Sequence, residues 1–343
     1  MSTEPVERID AAAPTSRPSR LGCAKSLSRL EREIERLERR GTDDGAEVST
    51  RLSRMRGHLA ELMERAYSAV GGWQTVELAR HSDRPVLADY IRLLVRDYCE
   101  LHGDRCFGDD RAILTGWGRI GGRRVMLLGH NKGREIEDRV ACCFGYPHPE
   151  GYRKALRAMR LAEKFDVPVV SLIDTPGAHP GVGAEERGVA EAIAVNLREM
   201  SRLRVPVVCV VIGEGGSGGA LGIGVGDLVG MLQHAYYSVI TPEGCASILF
   251  HDVGRARQAA EALRLTAEDL KRFHLIDEII EEPLGGAHRD MEGCARGVER
   301  FIRDSLRELA TVTRETLLVR RCERLRDFGA EFIRPALAAT EAP

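Results

Sequence analysis

Residues 213–226 read GEGGSGGALGIGVG, and they directly follow the apolar run Val205 to Ile212. Eight of these fourteen residues are glycine. Glycine is needed where the chain takes a positive φ or where another group comes close to the main chain. A turn from a strand into a helix also leaves backbone N–H groups without partners. The stretch therefore predicts a buried strand that opens into a site for an anion or an oxyanion.

Three functional patterns fit the same letters. Residues 213–218 match the dinucleotide pattern GxGxxG, but no clean second strand ends in the acidic ribose ligand that this fingerprint requires. Residues 215–219 match the nucleophile elbow GxSxG around Ser217. The third pattern uses only main-chain N–H groups, which form an oxyanion hole. A glycine face that allows close helix packing is the structural alternative.

The nucleophile elbow would make the chain a serine hydrolase, with Ser217 activated by a histidine further along the chain. Four histidines follow the loop and are candidate partners: His234, His251, His274 and His288. An oxyanion hole needs no such partner. The hydrolase and the backbone-only readings both remain open at this point.

The composition indicates one large globular domain with an extension. The 343 residues are 43% hydrophobic and 30% charged, and the net charge of −2 gives no reason to expect nucleic acid as a partner. The nine cysteines contain no CxxC pair, which predicts neither a disulfide framework nor a metal site. No apolar run approaches the ~20 residues of a membrane span. We expect a cytoplasmic protein with no membrane association.

The chain divides into four predicted regions. Residues 1–25 lack apolar periodicity and are predicted to be a disordered tail. Residues 26–70 carry apolar side chains at heptad spacing on both sides of the breaker Gly41 to Gly45, which predicts a helical hairpin. Residues 71–330 form the main domain and include C-terminal helices at 290–328. Residues 331–343 are a second tail.

The main domain is predicted to be α/β. Its central part alternates strands at 124–130, 167–174 and 205–212 with helices at 150–165 and 184–203. Such alternation is typical of βαβ units with a largely parallel sheet. Two shorter strands are predicted at 236–240 and 275–280, with short helices after Pro242.

A second glycine-rich loop follows the strand that ends at Asp174, and residues 175–183 read TPGAHPGVG. Ligands of open α/β sheets gather at the carboxyl ends of strands. Both loops are therefore expected to face one crevice.

Six blocks of sequence together resemble the carboxyltransferase alpha subunits of bacterial acetyl-coenzyme A carboxylase, and the similarity extends over about residues 27–329. The blocks are residues 129–134, 144–155, 173–188, 213–227, 237–249 and 283–289. The resemblance implies a crotonase-type fold of repeated ββα units. It also implies a beta-subunit partner in an α2β2 heterotetramer, served by biotin carboxyl carrier protein and, in the wider complex, by biotin carboxylase.

The resemblance further implies that the carboxyl group of carboxybiotin is transferred to acetyl-CoA, which yields malonyl-CoA for fatty acid synthesis. Backbone N–H groups stabilise the charge left on biotin, so the chain needs no side-chain base and no metal. Gly218 and Gly219 match the family's oxyanion positions in a loop that also contains Gly215 and Gly216. The pair Gly177 and Ala178 is a second candidate for donating to the biotin group.

Three charged residues near these loops have two readings each. Lys132 and Arg134 are candidates for attracting an anionic group of the cofactor or substrate, or they are paired with carboxylates. Glu214 is expected to fix its loop by accepting backbone hydrogen bonds, and the alternative is a catalytic role. His179 stands where the family's PGAYPG segment has tyrosine, which leaves the acyl group of the substrate open. A non-catalytic scaffold subunit is the alternative that involves no chemistry.

Overall fold

The computed structural model describes residues 29–30, 32–34, 36–39, 45–67 and 70–330. The chain forms two compact units, Met1–Ala69 and Val70–Pro343. Both predicted tails, 1–25 and 331–343, lie outside the described residues. In the described residues no helix is both long enough and apolar enough to cross a bilayer.

The first unit contains two helical segments. The described residues between 29 and 39 are helical, and helix α1 spans Gly45–Tyr67. Arg51 pairs with Glu33 at 3.2 Å, and Arg56 pairs with Glu38 at 2.6 Å. Exposed pairs of this kind contribute about 0–1 kcal/mol each. They show that the two segments of the predicted hairpin are in contact.

Eight strands form one sheet in the second unit, in the order β1-β2-β3-β4-β5-β6-β8, while β7 pairs with the end of β5. The strands β1, β2 and β3 are antiparallel, and every later pairing is parallel. The strands are β1 (Arg96–Glu100), β2 (Ile113–Ile120), β3 (Arg123–His130), β4 (Val169–Thr175), β5 (Val207–Gly216), β6 (Leu228–Leu232), β7 (Tyr236–Ser238) and β8 (Glu278–Ile280).

Helices cover the sheet and connect its strands. The pair β2–β3 followed by α5 makes a ββα unit, in which α5 packs on both strands. The helices are α2 (Gly72–Ala79), α3 (Leu87–Leu94), α4 (Ile136–Ala141), α5 (Pro149–Lys164), α6 (Val182–Glu186), α7 (Val189–Arg202), α8 (Ser217–Leu221), α9 (Pro242–Phe250), α10 (Ala256–Ala262), α11 (Ala267–Arg272), α12 (Met291–Leu309) and α13 (Arg314–Asp327).

The α/β class is confirmed, and its centre is the parallel pair β4–β5. Every residue of these two strands is buried, because helices cover both faces of the sheet there. Parallel strands covered in this way are nearly continuous apolar runs rather than alternating patterns. That is why the sequence locates them well.

Strand β5 is longer than predicted. The predicted strand ends at Ile212, but β5 continues through Gly216 and its last residues pair with β7 at Glu214, Gly215 and Gly216. The glycines of this segment permit close approach of the neighbouring chain. A Cβ on Gly216 would collide with the carbonyl oxygen of Pro176.

Two predicted helices are each divided. The helix predicted over 184–203 is α6 and α7, separated at Gly188 with a φ of 78°. The predicted C-terminal helical region is α12 and α13, and the Thr313 side chain caps α13 by accepting from the amide of Thr316. Buried Arg321 fixes α13 to the body of the unit: it pairs with Asp227 at 2.7 Å and donates to backbone carbonyls of residues 200, 203 and 205.

Candidate functional site

The two glycine-rich loops lie against each other at the carboxyl ends of β4 and β5. Thr175 pairs with Gly215 at the ends of these strands. A Cβ placed on Gly219 would lie 2.5 Å from the nitrogen of Ala178 and 2.5 Å from the carbonyl carbon of Gly177. No side chain fits between the loops at this point. The two loops, which were expected to face one crevice, are therefore in direct backbone contact.

Three of the predicted amides have no acceptor among the described hydrogen bonds. Gly218 and Gly219 are the second and third residues of the short helix α8, where an N–H has no partner within the helix. The amide of Ala178 likewise has no described acceptor, and it lies beside Gly219. The carbonyl of Gly219 accepts from the Tyr152 hydroxyl at 3.2 Å, which fixes the orientation of that part of the loop.

The other three predicted residues have different tasks. The amide of Gly177 donates to Thr175 Oγ1 at 3.1 Å, so it is used inside its own loop. Gly215 and Gly216 belong to β5 and pair with Tyr237 and Ser238. They are strand residues and not loop donors, because the ladder to β7 continues through them. The predicted amides that have no described acceptor are therefore those of Gly218, Gly219 and Ala178.

Lys132 lies in a buried ionic cluster rather than at a site for an external anion. Its Nζ is 2.6 Å from Asp174 Oδ1 and 2.6 Å from Glu214 Oε1. Arg80 Nε and the Tyr236 hydroxyl complete the cluster, at 2.7 Å and 2.6 Å from Glu214 Oε2. Arg134 is also paired, with Asp89. Lys132 and Arg134 are therefore paired with carboxylates, which is the second of the two interpretations.

The cluster joins the ends of the two strands that lead into the loops. Asp174 is the penultimate residue of β4 and Glu214 lies near the end of β5. The amide of Glu214 donates to Asp174 Oδ1 at 2.8 Å. The expected backbone acceptor was Glu214, but Asp174 has that role and Glu214 accepts from side chains. Removing one partner of such a buried pair typically costs about 3–5 kcal/mol, because it leaves a charge without compensation.

The pKa shifts in the cluster differ between its members: burial raises the pKa of Asp174 in spite of the neighbouring Lys132, whereas the charges of the cluster stabilise the ionised forms of Lys132 and Glu214. Burial by itself lowers the pKa of Lys132, but the charges of Asp174 and Glu214 outweigh it and raise that pKa above the ordinary value. Burial raises the pKa of Glu214, and the positive charges of Lys132 and Arg80 reverse this and hold it at about 2. Lys132 and Glu214 are therefore ionised at neutral pH.

Ser217 stands at the turn between β5 and α8 with a φ of 51° and is exposed. A cavity of about 410 Å³ lies beside it and beside Gly218. The residues of this cavity that the structure describes include no histidine, aspartate or glutamate. Most are apolar, among them Leu221, Tyr237 and Phe273.

None of the four histidines that follow the loop lines the cavity beside Ser217. The turn resembles a nucleophile elbow, but the described residues around it supply no base. The serine-hydrolase reading therefore rests on the shape of the turn alone.

His179 contacts two residues that the sequence did not connect with it. Its ring stacks on that of His148, with centroids 4.0 Å apart. Cys143 completes a group of three possible metal ligands in the described chain. The expectation of no metal site relied on the absence of CxxC spacing, and this group is assembled from separate loops. The unexpected histidine at position 179 was the one available signal.

Comparison with solved structures defines the fold as that of the crotonase-type carboxyltransferases. A transcarboxylase 12S structure with methylmalonyl-coenzyme A bound superposes with a TM-score of 0.55 at 23% identity, covering 66% of this chain and 42% of that one. A Pseudomonas malonate decarboxylase hetero-tetramer in complex with coenzyme A superposes with a TM-score of 0.53 at 15% identity, covering 68% and 93%. At these identities the likeness concerns the fold alone.

Sequence relatives identify the family. Residues 20–329 match the family model described as acetyl co-enzyme A carboxylase carboxyltransferase-like. The acetyl-coenzyme A carboxylase carboxyl transferase subunit alpha of Pasteurella multocida (strain Pm70) is 52% identical over 304 residues, 88% of this chain and 96% of that one. The subunit alpha of Vibrio campbellii (strain ATCC BAA-1116) is 52% identical over 308 residues, 89% and 97%. The chain belongs to this family of carboxyltransferase alpha subunits.

Proposed function

We propose that this chain is the alpha subunit of an acetyl-CoA carboxylase carboxyltransferase. With its beta subunit it transfers the carboxyl group of carboxybiotin, held on biotin carboxyl carrier protein, to acetyl-CoA, and malonyl-CoA is formed for fatty acid synthesis. The assembly is an α2β2 heterotetramer that works with biotin carboxylase in the cytoplasm. The names of the relatives support this proposal, since the match extends over 96–97% of their length.

The observation that carries the chemical part is that three amides with no described acceptor, those of Gly218, Gly219 and Ala178, lie together at the ends of two adjacent strands. Carboxybiotin would supply the transferable carboxyl group, and these amides would donate to its ureido oxygen, where negative charge develops during transfer. Amides held in place before the reaction stabilise such a charge without reorganisation, and one donor is worth about 3–4 kcal/mol. The chain contributes these donors and no nucleophile.

The cavity beside Gly218 has a volume of about 410 Å³ and mainly apolar walls, which suit a bicyclic, largely apolar group. Apolar walls exclude water and so strengthen the hydrogen bond that the Gly218 amide donates. The ionic cluster around Lys132 joins Asp174 near the end of β4 to Glu214 near the end of β5, and so holds these strand ends in fixed positions. We assign Lys132 this positioning role and no contact with the cofactor.

The test is reconstitution. The purified chain and the beta subunit encoded in the same genome are assayed for carboxylation of acetyl-CoA with a carboxylated carrier, separately and mixed. We expect no malonyl-CoA from the chain alone and activity after mixing, with both subunits in one complex on size exclusion. Robust carboxylation by the isolated chain, after mass spectrometry has excluded the partner, would contradict a site divided between subunits.

The reconstituted complex also tests the two alternatives. A fluorophosphonate probe that labels Ser217 would support the serine hydrolase. An active complex that tolerates every substitution in the loops would support the scaffold without chemistry. We expect neither, because the donors are main-chain groups whose positions depend on the glycines around them.

A further inference from the structure

Cys143, His148 and His179 form a compact cluster next to the loop that carries Ala178. One possible ligand atom from each residue lies within 4.8 Å of the other two. Cys143 Sγ is 3.5 Å from His148 Nε2. All three residues are partly buried. One thiol and two imidazoles are donors that Zn²⁺ prefers, and three protein ligands leave a fourth tetrahedral position for water.

Backbone hydrogen bonds hold the three residues in place. Cys143 begins a short 3₁₀ turn and has a left-handed φ of 48°. The amide of His148 donates to Asp110 Oδ2 at 2.8 Å. The amide of His179 donates to the carbonyl of Pro147 at 2.9 Å. The cluster is therefore built by ordered backbone from two separate loops.

Burial acts in opposite directions on the imidazoles and on the thiol of the cluster. Burial lowers the pKa of His148 and of His179, so both imidazoles are neutral and can act as ligands. Burial raises the pKa of Cys143, so its thiol must lose a proton when a metal binds. The charged groups that face the three side chains are Asp110, Glu150 and Arg187.

The imidazole nitrogens connect the cluster to the neighbouring loop. The amide of Gly181 donates to His179 Nδ1 at 3.0 Å, and Arg187 lies 3.3 Å from His148 Nδ1. With Nδ1 as an acceptor, each neutral ring carries its proton on Nε2. A metal bound at Nε2 moves that proton to Nδ1, which breaks the hydrogen bond from Gly181. Gly181 lies with Ala178 in the loop of residues 175–183, so metal binding removes one of the hydrogen bonds within this loop.

We propose that Cys143, His148 and His179 form a Zn²⁺ site whose occupation inhibits carboxyl transfer. On binding, the Cys143 thiol gives its proton to solvent, Zn–S and two Zn–N bonds form, and water completes the coordination. The loop with the Ala178 amide then shifts away from Gly219. The inhibitory part rests on the proposed function, whereas Zn²⁺ binding by the chain does not.

Co²⁺ titration of the full-length chain tests the site directly. A cobalt–thiolate bond gives a charge-transfer absorption band, which is measured without an activity assay. We expect one equivalent to bind with this band and Zn²⁺ to displace it. The Cys143→Ser variant and the His179→Tyr variant should lose the band. Their Zn²⁺ affinity should fall by more than the ~10–100-fold that loss of an outer-shell partner costs. The matched control is Cys106→Ser, which removes an exposed thiol.

Retention of the band in Cys143→Ser, or its loss in Cys106→Ser, would overturn the site. Circular dichroism shows whether each variant is folded. If Cys143→Ser does not fold, His179→Tyr provides a second test.

Zn²⁺ affinity should rise with pH, since the Cys143 thiol must be deprotonated. In the reconstituted enzyme, Zn²⁺ should inhibit the parent complex more than the His179→Tyr complex made with the same partner preparation. Equal inhibition of both would overturn the inhibitory role.

Discussion

Replacing Gly219 by Ala should disrupt carboxyl transfer through the contact between the two loops. The added Cβ would lie 2.5 Å from Ala178 N and from Gly177 C, whereas unstrained carbon contacts begin near ~3.5 Å. The loops must therefore separate by about 1 Å. Overpacking of this kind costs about 1–3 kcal/mol, and in a domain of this size each kcal/mol lowers Tm by about 2–4 °C.

The effect on catalysis should be larger than the effect on stability. A displacement of about 1 Å can cost ~10² in rate, and loss of one oxyanion donor costs about 10² to 10³. We expect kcat of the Gly219→Ala complex to fall by at least about 10². A Gly219→Val variant should lose more, because its larger side chain would strike the backbone of the other loop.

Gly218→Ala is the matched control for this substitution. A Cβ on Gly218 would have Ile193 as its nearest neighbour, at 3.8 Å, which is an ordinary contact. The variant should therefore keep its Tm and its partner, and alanine in α8 adds up to ~1 kcal/mol of helix propensity. Each variant is measured for biotin-dependent carboxylation, Tm and copurification with the beta subunit. A folded, assembled Gly219→Ala complex with near-normal kcat would refute the placement of the donors at this contact.

Three further substitutions test the remaining roles. Ser217→Ala should change kcat by less than about tenfold, because a main-chain oxyanion hole leaves the hydroxyl without a task; loss of nearly all activity in a folded complex would indicate a nucleophile. Lys132→Met should lower the free energy of unfolding by about 3–5 kcal/mol, more than Arg134→Met, where the arginine side chain is 36% exposed, and equal losses in urea titrations would contradict the buried cluster. Glu214→Gln should flatten the dependence of Tm on pH below about 4.5: the folded pKa of Glu214, about 2, lies below its ordinary value, so its stabilisation is complete above the unfolded pKa and is lost as pH falls toward 2. An unchanged slope between pH 4.5 and 2 would show that Glu214 is not ionised in the folded chain.

The central part of the fold could be predicted because burial leaves a clear pattern in the sequence. Strands β4 and β5 are buried throughout, and their apolar runs alternate with helices of ordinary length. Strands β1 and β2 were not predicted. Strand β2 contains Gly116 and Gly118, which weaken a strand pattern, yet a Cβ at either position would strike side chains of the segment 95–99. Only the tertiary contact explains why these glycines lie in a strand.

The candidate site was predicted as a region but not as a set of donors. Glycine content indicates where backbone can be approached, and it correctly brought the two loops together. It cannot tell which amides already have acceptors. Thr175 Oγ1 takes the amide of Gly177, and the ladder to β7 takes in Gly215 and Gly216. These hydrogen-bond partners are brought together only in the folded chain. The sequence analysis therefore treated these glycines as equivalent donors, whereas the structure distinguishes them.

The cluster around Lys132 shows a similar limit with a different cause. Lysine next to a glycine loop suggests an anion site, and in isolation that interpretation is reasonable. Asp174 and Glu214 stand at the ends of two neighbouring parallel strands, however, and parallel strands bring their carboxyl ends to the same edge of a sheet. Lys132, two residues after the end of the adjacent strand β3, then meets both carboxylates. The pairing was implicit in the predicted topology once the order of the strands was known.

The glycines around the turn from β5 into α8 meet two separate physical demands. At Gly216 and Gly219 a side chain would collide with the backbone of the other loop, so glycine there permits the contact between the two loops. At Gly218 a Cβ would make only an ordinary contact with Ile193, so packing within the protein does not require glycine there. An oxyanion site made of main-chain groups needs both kinds, because the donors must be reached by the ligand from one side and supported by a second backbone from the other. The response to alanine at 218, compared with 219, therefore measures ligand access separately from support.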